Sequence, residues 1–244
     1  MSIVNPSTER PTVVLVHGAF AESASWNAVL AHLQAEGYPT IAMANPLRGV
    51  AHDATHLRAL LSTVSGDVVL VGHSYGGLVI SEAAEGNARV TALVFICAFA
   101  ALPGESAADL SNRFPGGTLG ETLVAIPLPD GETDLYIAQD RYHDQFAADS
   151  SPEDAAVMAS TQRPITESAL NEPAGAAAWT SIPSWFLFGS DDKNIPVESH
   201  RFMAERAHSR RTVELAGGSH TVGIPESAQV VDLIKEAAGN APAR

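Results

Sequence analysis

A chain of 244 residues accommodates one sizeable α/β domain, or a core plus an inserted segment, and 45% apolar with 17% charged residues is an ordinary globular composition. The formal net charge of −14 is concentrated in the middle third, where residues 101–178 hold thirteen acidic side chains against Arg113, Arg141 and Arg163. A field of that sign disfavours nucleic acid and anionic membranes as partners, and keeping the protein in solution is its simplest role.

Met1 to Arg10 lacks a basic start followed by an apolar stretch, so no secretory leader is read and a cytoplasmic location is expected. Thr12 to Val16 is a β-branched run without polar interruption, the pattern of a strand buried on both faces. It runs into His17-Gly18-Ala19-Phe20. Ala24 to Glu36 places Trp26, Val29, Leu30 and Leu33 at helical spacing, and Gly37 stops it. Thr40 to Ala44 reads as a second strand, and His56 to Val64 as a helix with Leu57, Leu60, Leu61 and Val64 on one face. Val68 to Val71 is a third strand, and Leu78 to Glu85 a helix. Val90 to Ala98 is a fourth strand, and the apolar run around it, Val90 to Leu102, is too short to span a bilayer. The single cysteine, Cys97, excludes an internal disulfide and reads as a packed thiol.

From about Ala100 to Ala178 the rhythm breaks. Prolines and glycines recur, short helical patches appear, and no buried strand is evident; Arg141 to Met158 is the best helical part, interrupted at Pro152. Phe114, Leu123, Ile126, Leu128, Tyr136, Ile137, Tyr142 and Phe146 give this span too much apolar content for disorder. It therefore reads as a mainly helical cap, residues 100–178, inserted into a core made of residues 1–99 and 179–244. In the core, Ser184 to Phe188 is a strand closed by Gly189-Ser190-Asp191-Asp192. Val197 to Ala207 is a helix, Arg211 to Leu215 the last strand, and Ser227 to Ala238 the terminal helix. Buried strands alternating with amphipathic helices predict an α/β fold with a mostly parallel sheet covered on both faces.

The chemistry centres on Gly72-His73-Ser74-Tyr75-Gly76-Gly77. A Gly-x-Ser-x-Gly turn between a buried strand and a helix is the context of a nucleophile elbow, with small neighbours making room for a strained serine. A serine hydroxyl needs a base, and the base needs an acid to set its tautomer. Among nine histidines only His220 follows the last strand in a Gly-rich loop able to return over Ser74. His32, His52, His56, His143, His200 and His208 fall on helical or cap segments and read as solvated surface. His73 is fixed in the elbow pointing away from the serine's partner, and His17 reads as a brace for the loop carrying Ala19. The acid comes from Asp191 or Asp192, of which Asp192 is favoured. Oxyanion donors are expected from the backbone N–H groups of Tyr75 and Ala19.

Together, His17-Gly18-Ala19, Trp26, Gly72 to Gly77, Gly189-x-x-Asp192 and Gly218-Ser219-His220 resemble the α/β-hydrolase fold family over nearly the whole chain. The family's Gly-x-x-Asp acid position also selects Asp192. The N-terminus beginning at the His-Gly strand, the Ala98-Phe99 exit and the cap length are similar to the methylesterase and hydroxynitrile lyase branch, and to small bacterial esterases. Hydroxynitrile lyases of that branch carry a lysine after the catalytic histidine and a threonine after the His-Gly-loop histidine. Here Thr221 and Gly18 stand there, so the resemblance favours ester hydrolysis. Ser74 in place of a carboxylate argues against a haloalkane dehalogenase. The expectation is a serine carboxylesterase for small, uncharged, largely apolar esters, with Phe20, Phe114, Leu123 and Tyr142 as pocket walls and no cofactor or metal. A lyase or perhydrolase using the same serine, and a ligand receptor that signals by cap movement, are the competing readings.

Overall fold

The computed structural model describes residues 10–239; most of the stretch read for a leader, and the outer ends of the expected core, lie outside them. Within those bounds the core alternates strands and helices: β1 (Thr12–Val16), α1 (Asn27–Ala35), β2 (Thr40–Met43), α2 (Val50–Ser62), β3 (Val68–His73), α3 (Gly76–Ala84) and β4 (Val90–Ile96). After β4 come α4 (Ala107–Ser111), β5 (Leu123–Pro127), β6 (Thr133–Ile137), α5 (Gln139–Phe146), α6 (Pro152–Thr161), β7 (Ile165–Thr166) and α7 (Glu167–Asn171). The core resumes with β8 (Ser184–Gly189), α8 (Val197–Arg206), β9 (Arg211–Leu215) and α9 (Ser227–Gly239). Its six strands form one parallel sheet in the order β2-β1-β3-β4-β8-β9.

The four central strands β1, β3, β4 and β8 are almost wholly buried, which is why their sequences read as unbroken apolar runs rather than alternating ones. Phe95 and Phe186, register partners on β4 and β8, stack with centroids 4.7 Å apart. Helix α2 begins at Val50, six residues before the leucine stripe shows it. The early turn is held from outside: Glu172 accepts the backbone N–H of Val50 at 2.7 Å and of Ala51 at 3.1 Å. No helix among the described residues is long and apolar enough to cross a membrane.

Between β4 and β8 the chain departs from the expected mainly helical insertion. Strands β5, β6 and β7 form a separate three-stranded antiparallel sheet. The turn Pro129-Asp130-Gly131, with Gly131 at φ +92°, closes the β5–β6 hairpin. Strand β5 is exposed along most of its length, so it lacks the buried apolar signature that marks the core strands. Pro152 starts α6, and Ser151 Oγ accepts the Asp154 N–H as its cap.

Acidic side chains fasten this insertion to the core. Asp134 pairs with Arg48, Glu105 with Arg206 at 2.7 Å, and Asp149 accepts the Ser219 N–H at 2.7 Å. From the core side Glu82 accepts the N–H groups of Gly175 and Ala176, at the end of the insertion, at 2.9 and 2.7 Å.

The loops after β8 and β9 interlock. A Cβ at Gly189 would fall on the Gly218 carbonyl oxygen, and one at Gly218 would lie 2.6 Å from Val222 Cγ2. Both glycines are therefore required by close backbone approach. Gly189→Ala is expected to destabilise the protein by about 1–3 kcal/mol, the usual cost of overpacking. Gly120→Ala, where a Cβ meets nothing within 4 Å, should stay within about 0.5 kcal/mol of the parent. Urea unfolding of the two variants measures the difference; equal midpoints would contradict the interlock.

Candidate active site

Strand β3 ends at His73 and α3 begins at Gly76, leaving Ser74 on the turn between them at φ +54°. That left-handed backbone is unusual for a serine and is held from several sides. The Ser74 carbonyl accepts the N–H groups of Gly77 at 3.0 Å and Phe99 at 3.2 Å, and its own N–H reaches the Ile96 carbonyl. A Cβ at Gly72 would lie 2.8 Å from the Gly76 backbone, one at Gly76 would strike the Val16 carbonyl, and one at Gly18 would lie 2.5 Å from Ser74 Cβ. The first strand, the elbow and its helix are thus packed backbone against backbone.

The β1 exit is braced by His17. Its ring, fully buried, donates from Nδ1 to the Gly18 carbonyl at 2.9 Å and accepts the Asn45 N–H at Nε2 at 3.0 Å. Burial lowers its pKa to about 4, so the ring is neutral and its tautomer fixed. The loop it holds carries Ala19 and Phe20, the latter at φ +60° with its N–H on the Arg163 carbonyl. The backbone N–H groups of Ala19 and Tyr75 make no hydrogen bond among the described residues. Tyr75 is buried, and its hydroxyl donates to Asp53 Oδ2 at 3.2 Å.

Asp192 is a buried acid. Its carboxylate is fully enclosed and accepts four hydrogen bonds. Oδ1 takes the N–H groups of Asn194 and Ile195 at 2.8 and 2.9 Å; Oδ2 takes His220 Nδ1 at 2.7 Å and His200 Nε2 at 2.9 Å. Burial alone would push this carboxyl up, but the His220 charge and the two histidine bonds reverse it and hold the group well below the usual carboxylate range. Asp191 is exposed and accepts only the Ser190 hydroxyl.

Ser74, His220, Ala19, Tyr75, Phe20 and Leu123 line a single pocket of about 190 Å³. Its apolar walls also include Phe99 and Ile195 of the core and Leu119, Phe146 and Leu170 of the insertion; Ser111, Asn112 and Asn194 are polar members of the lining, and it contains no Asp, Glu, Lys or Arg. Phe114 does not reach it; that ring packs on Phe202 with centroids 5.9 Å apart, drawn to the apolar face of α8. Tyr142 also stays behind the wall. Its hydroxyl is committed to the Phe20 carbonyl at 2.7 Å, and its ring faces another cavity.

Two histidines differ from their expected places. His200 is fully buried rather than solvated, stacked on Phe188 at 4.8 Å and bonded to Asp192. It lies three, four and seven residues before Met203, Ala204 and Ala207, all buried, and that apolar stripe is the sequence signal that places it inward. His73 does not point away from His220: its Nε2 donates to the His220 carbonyl at 3.0 Å, with ring centroids 4.9 Å apart. Burial holds its pKa down at about 3. Cys97, at φ +42°, is the expected packed thiol, pushed up by burial. Its sulfur lies with Asp192 and His200 in a cluster whose ligand atoms fall within 4.8 Å of one another. Because the thiol is held protonated and the carboxylate already has four donors, that cluster is poorly suited to a metal.

A model described as the alpha/beta hydrolase family matches residues 13–233. The chain is 28% identical to alpha/beta hydrolase nvfD of Aspergillus novofumigatus, with 95% of this chain and 98% of that protein aligned. It is 25% identical to salicylic acid-binding protein 2 of Nicotiana tabacum, over 92% and 96% respectively. Among solved structures, polyneuridine aldehyde esterase superposes with a TM-score of 0.78 over 93% of this chain and 99% of that one, at 17% identity, a likeness of fold.

The buried histidines make stability depend on pH. His17, His73 and His200 have pKa values lowered from 6.5 in the folded protein, so below that pH the unfolded chain binds more protons and stability falls as pH drops. For His17 and His73 together the expected loss is about 2.5 kcal/mol between roughly pH 6 and pH 5. Urea unfolding across that range in high salt tests this; a flat or rising stability on acidification would contradict it.

Proposed function

We propose that this chain, which belongs to the alpha/beta hydrolase family, is a serine carboxylesterase for small, uncharged, largely apolar esters. One observation carries the reading: a serine at φ +54° shares a pocket with a histidine whose Nδ1 lies 2.7 Å from a buried carboxylate. Ser74 Oγ attacks the ester carbonyl while His220 Nε2 takes its proton. Asp192 holds the Nδ1–H tautomer and balances the imidazolium that forms. The N–H groups of Ala19 and Tyr75 receive the oxyanion. His220 then returns the proton to the leaving alcohol, and a water activated by the same ring releases the acid and frees Ser74.

The substrate class follows from the pocket. About 190 Å³ without a charged side chain suits a short, largely apolar acyl or alcohol group, and no charged partner is there to pair with an ionised substrate. The insertion acts as the cap, with Leu119, Leu123, Phe146 and Leu170 replacing Phe114 and Tyr142 as its contribution to the walls. Cyanohydrin cleavage is disfavoured by position as well as by residue type. Thr221 lines a different cavity, with its hydroxyl 3.3 Å from Ser219 Oγ, and a threonine at 18 would collide with Ser74.

A fluorophosphonate probe should label the parent protein and not Ser74→Ala; labelling that persists in the variant would remove Ser74 from the role. Asp192→Asn should retain the fold and lower turnover of p-nitrophenyl butyrate by roughly 10⁴-fold, the cost of a mis-set tautomer.

His200 is assigned as a positioning residue acting through Asp192. A hydrogen bond to a charged group is worth about 1.5–3 kcal/mol, so His200→Leu should lower kcat by about ten- to a hundredfold with KM unchanged. His200→Gln, which keeps a donor, should recover most of the loss. A kcat that drops equally in both variants would mark His200 as a packing residue instead.

A further inference from the structure

A second cavity, larger than the one at Ser74, opens on the other side of Phe146. It has a volume of about 420 Å³ and lies between the segment after β1, helix α6 and the loop beyond His220, with walls that include Trp26, Tyr142, Phe146 and Met158. A packed aromatic partition separates it from the Ser74 pocket. Phe146 contacts Phe20 at 6.2 Å and Tyr142 at 5.0 Å, and Tyr142 is tied to the Phe20 carbonyl. Phe146 alone among the insertion's side chains lines both spaces.

Its chemistry is one-signed. Glu22 and Asp154 are the charged residues in the lining, no Lys or Arg joins them, and neither carboxylate forms an ion pair among the described residues. Most other polar groups are already used internally. Gln162 bonds Ile137 and Ala159, Thr161 bonds Val157, Ser25 bonds Glu22's carbonyl, and Tyr142 bonds Phe20. His73, the remaining basic side chain, donates to His220 and stays neutral. Val157, 63% exposed, stands at the rim as apolar surface open to solvent.

From this combination we propose that the cavity binds a small apolar amine as its ammonium ion. The hydrocarbon part would lie against Trp26, Phe146 and Met158, and the cation toward Glu22 and Asp154. Glu22, half-buried, and Asp154, exposed and accepting Ser151 Oγ at 2.7 Å, set a negative potential with no opposing cation, aromatic walls attract a cation, and the same field rejects carboxylates. The volume falls within the range of small-molecule sites. The site is independent of the ester chemistry and requires no reaction at Ser74.

Calorimetric titration of the full chain with phenylpropylamine, phenylpropanol and phenylpropanoate tests this. The amine should bind about ten-fold more tightly than the alcohol, and the acid most weakly. Glu22→Gln with Asp154→Asn should bring amine and alcohol to equal affinity, and Val157→Lys at the rim should weaken the amine about ten-fold while leaving ester turnover unchanged. Neither change touches a buried side chain, and melting curves check the fold. The proposal is overturned if the alcohol binds as tightly as the amine, if the carboxylate and rim variants leave the preference intact, or if phosphonylation of Ser74 abolishes amine binding. Failure of Ser74 to accept the phosphonate would instead count against the esterase reading, and the titration of unmodified protein would stand.

Discussion

Everything at the site depends on satisfying one buried negative charge. Asp192 is enclosed by protein, and a carboxylate there is tolerated only with its lone pairs filled. Its four donors come from three elements: the turn after β8, helix α8 and the loop after β9. Their convergence therefore fixes the relative placement of those elements. The Gly189–Gly218 contact brings the two loops to backbone distance, and only then can His220 Nδ1 reach Oδ2. Removing either histidine would leave a buried carboxylate one donor short, which is why the second imidazole, outside Ser74's pocket, matters to the first.

A second layer of constraint joins the insertion to this centre. Gln145 donates to the Lys193 carbonyl and to Asn194 Oδ1 in the acid loop, and Asp149 accepts from Ser219, the neighbour of His220. The walls above Ser74 and the base beside it thus rest on shared hydrogen bonds.

The core and the proposed catalytic residues were legible in the sequence because their signals are local. Buried parallel strands write themselves as apolar runs, and a glycine-flanked serine between strand and helix admits few other structures. What was not legible depends on packing across distance. Strand β5 is exposed and pairs only with β6, so its residues Val124 to Pro127 carry no core pattern. Tyr142 and Phe114 are apolar enough for a pocket wall, yet a hydroxyl bond to Phe20 and a ring contact with Phe202 commit them elsewhere. His200 was masked by its residue type: a histidine on an amphipathic helix is usually wet, and only the buried Met203 and Ala207 on the same stripe argue otherwise.

The acidity of the middle third shows the same contrast between composition and position. Read as a sum, it describes solubility and repulsion of polyanions. Read residue by residue, Glu105, Asp134, Asp149 and Glu172 each accept from a core donor and clamp the insertion down. Glu105 and Asp134 are neutralised by Arg206 and Arg48, while Asp149 and Glu172 hold uncharged N–H donors. Asp154 has no cation to oppose it and stands with Glu22 over aromatic rings, so it projects its potential into a cavity. Charge that is paired holds the fold together; charge left unpaired at a concave apolar surface is what gives that surface selectivity.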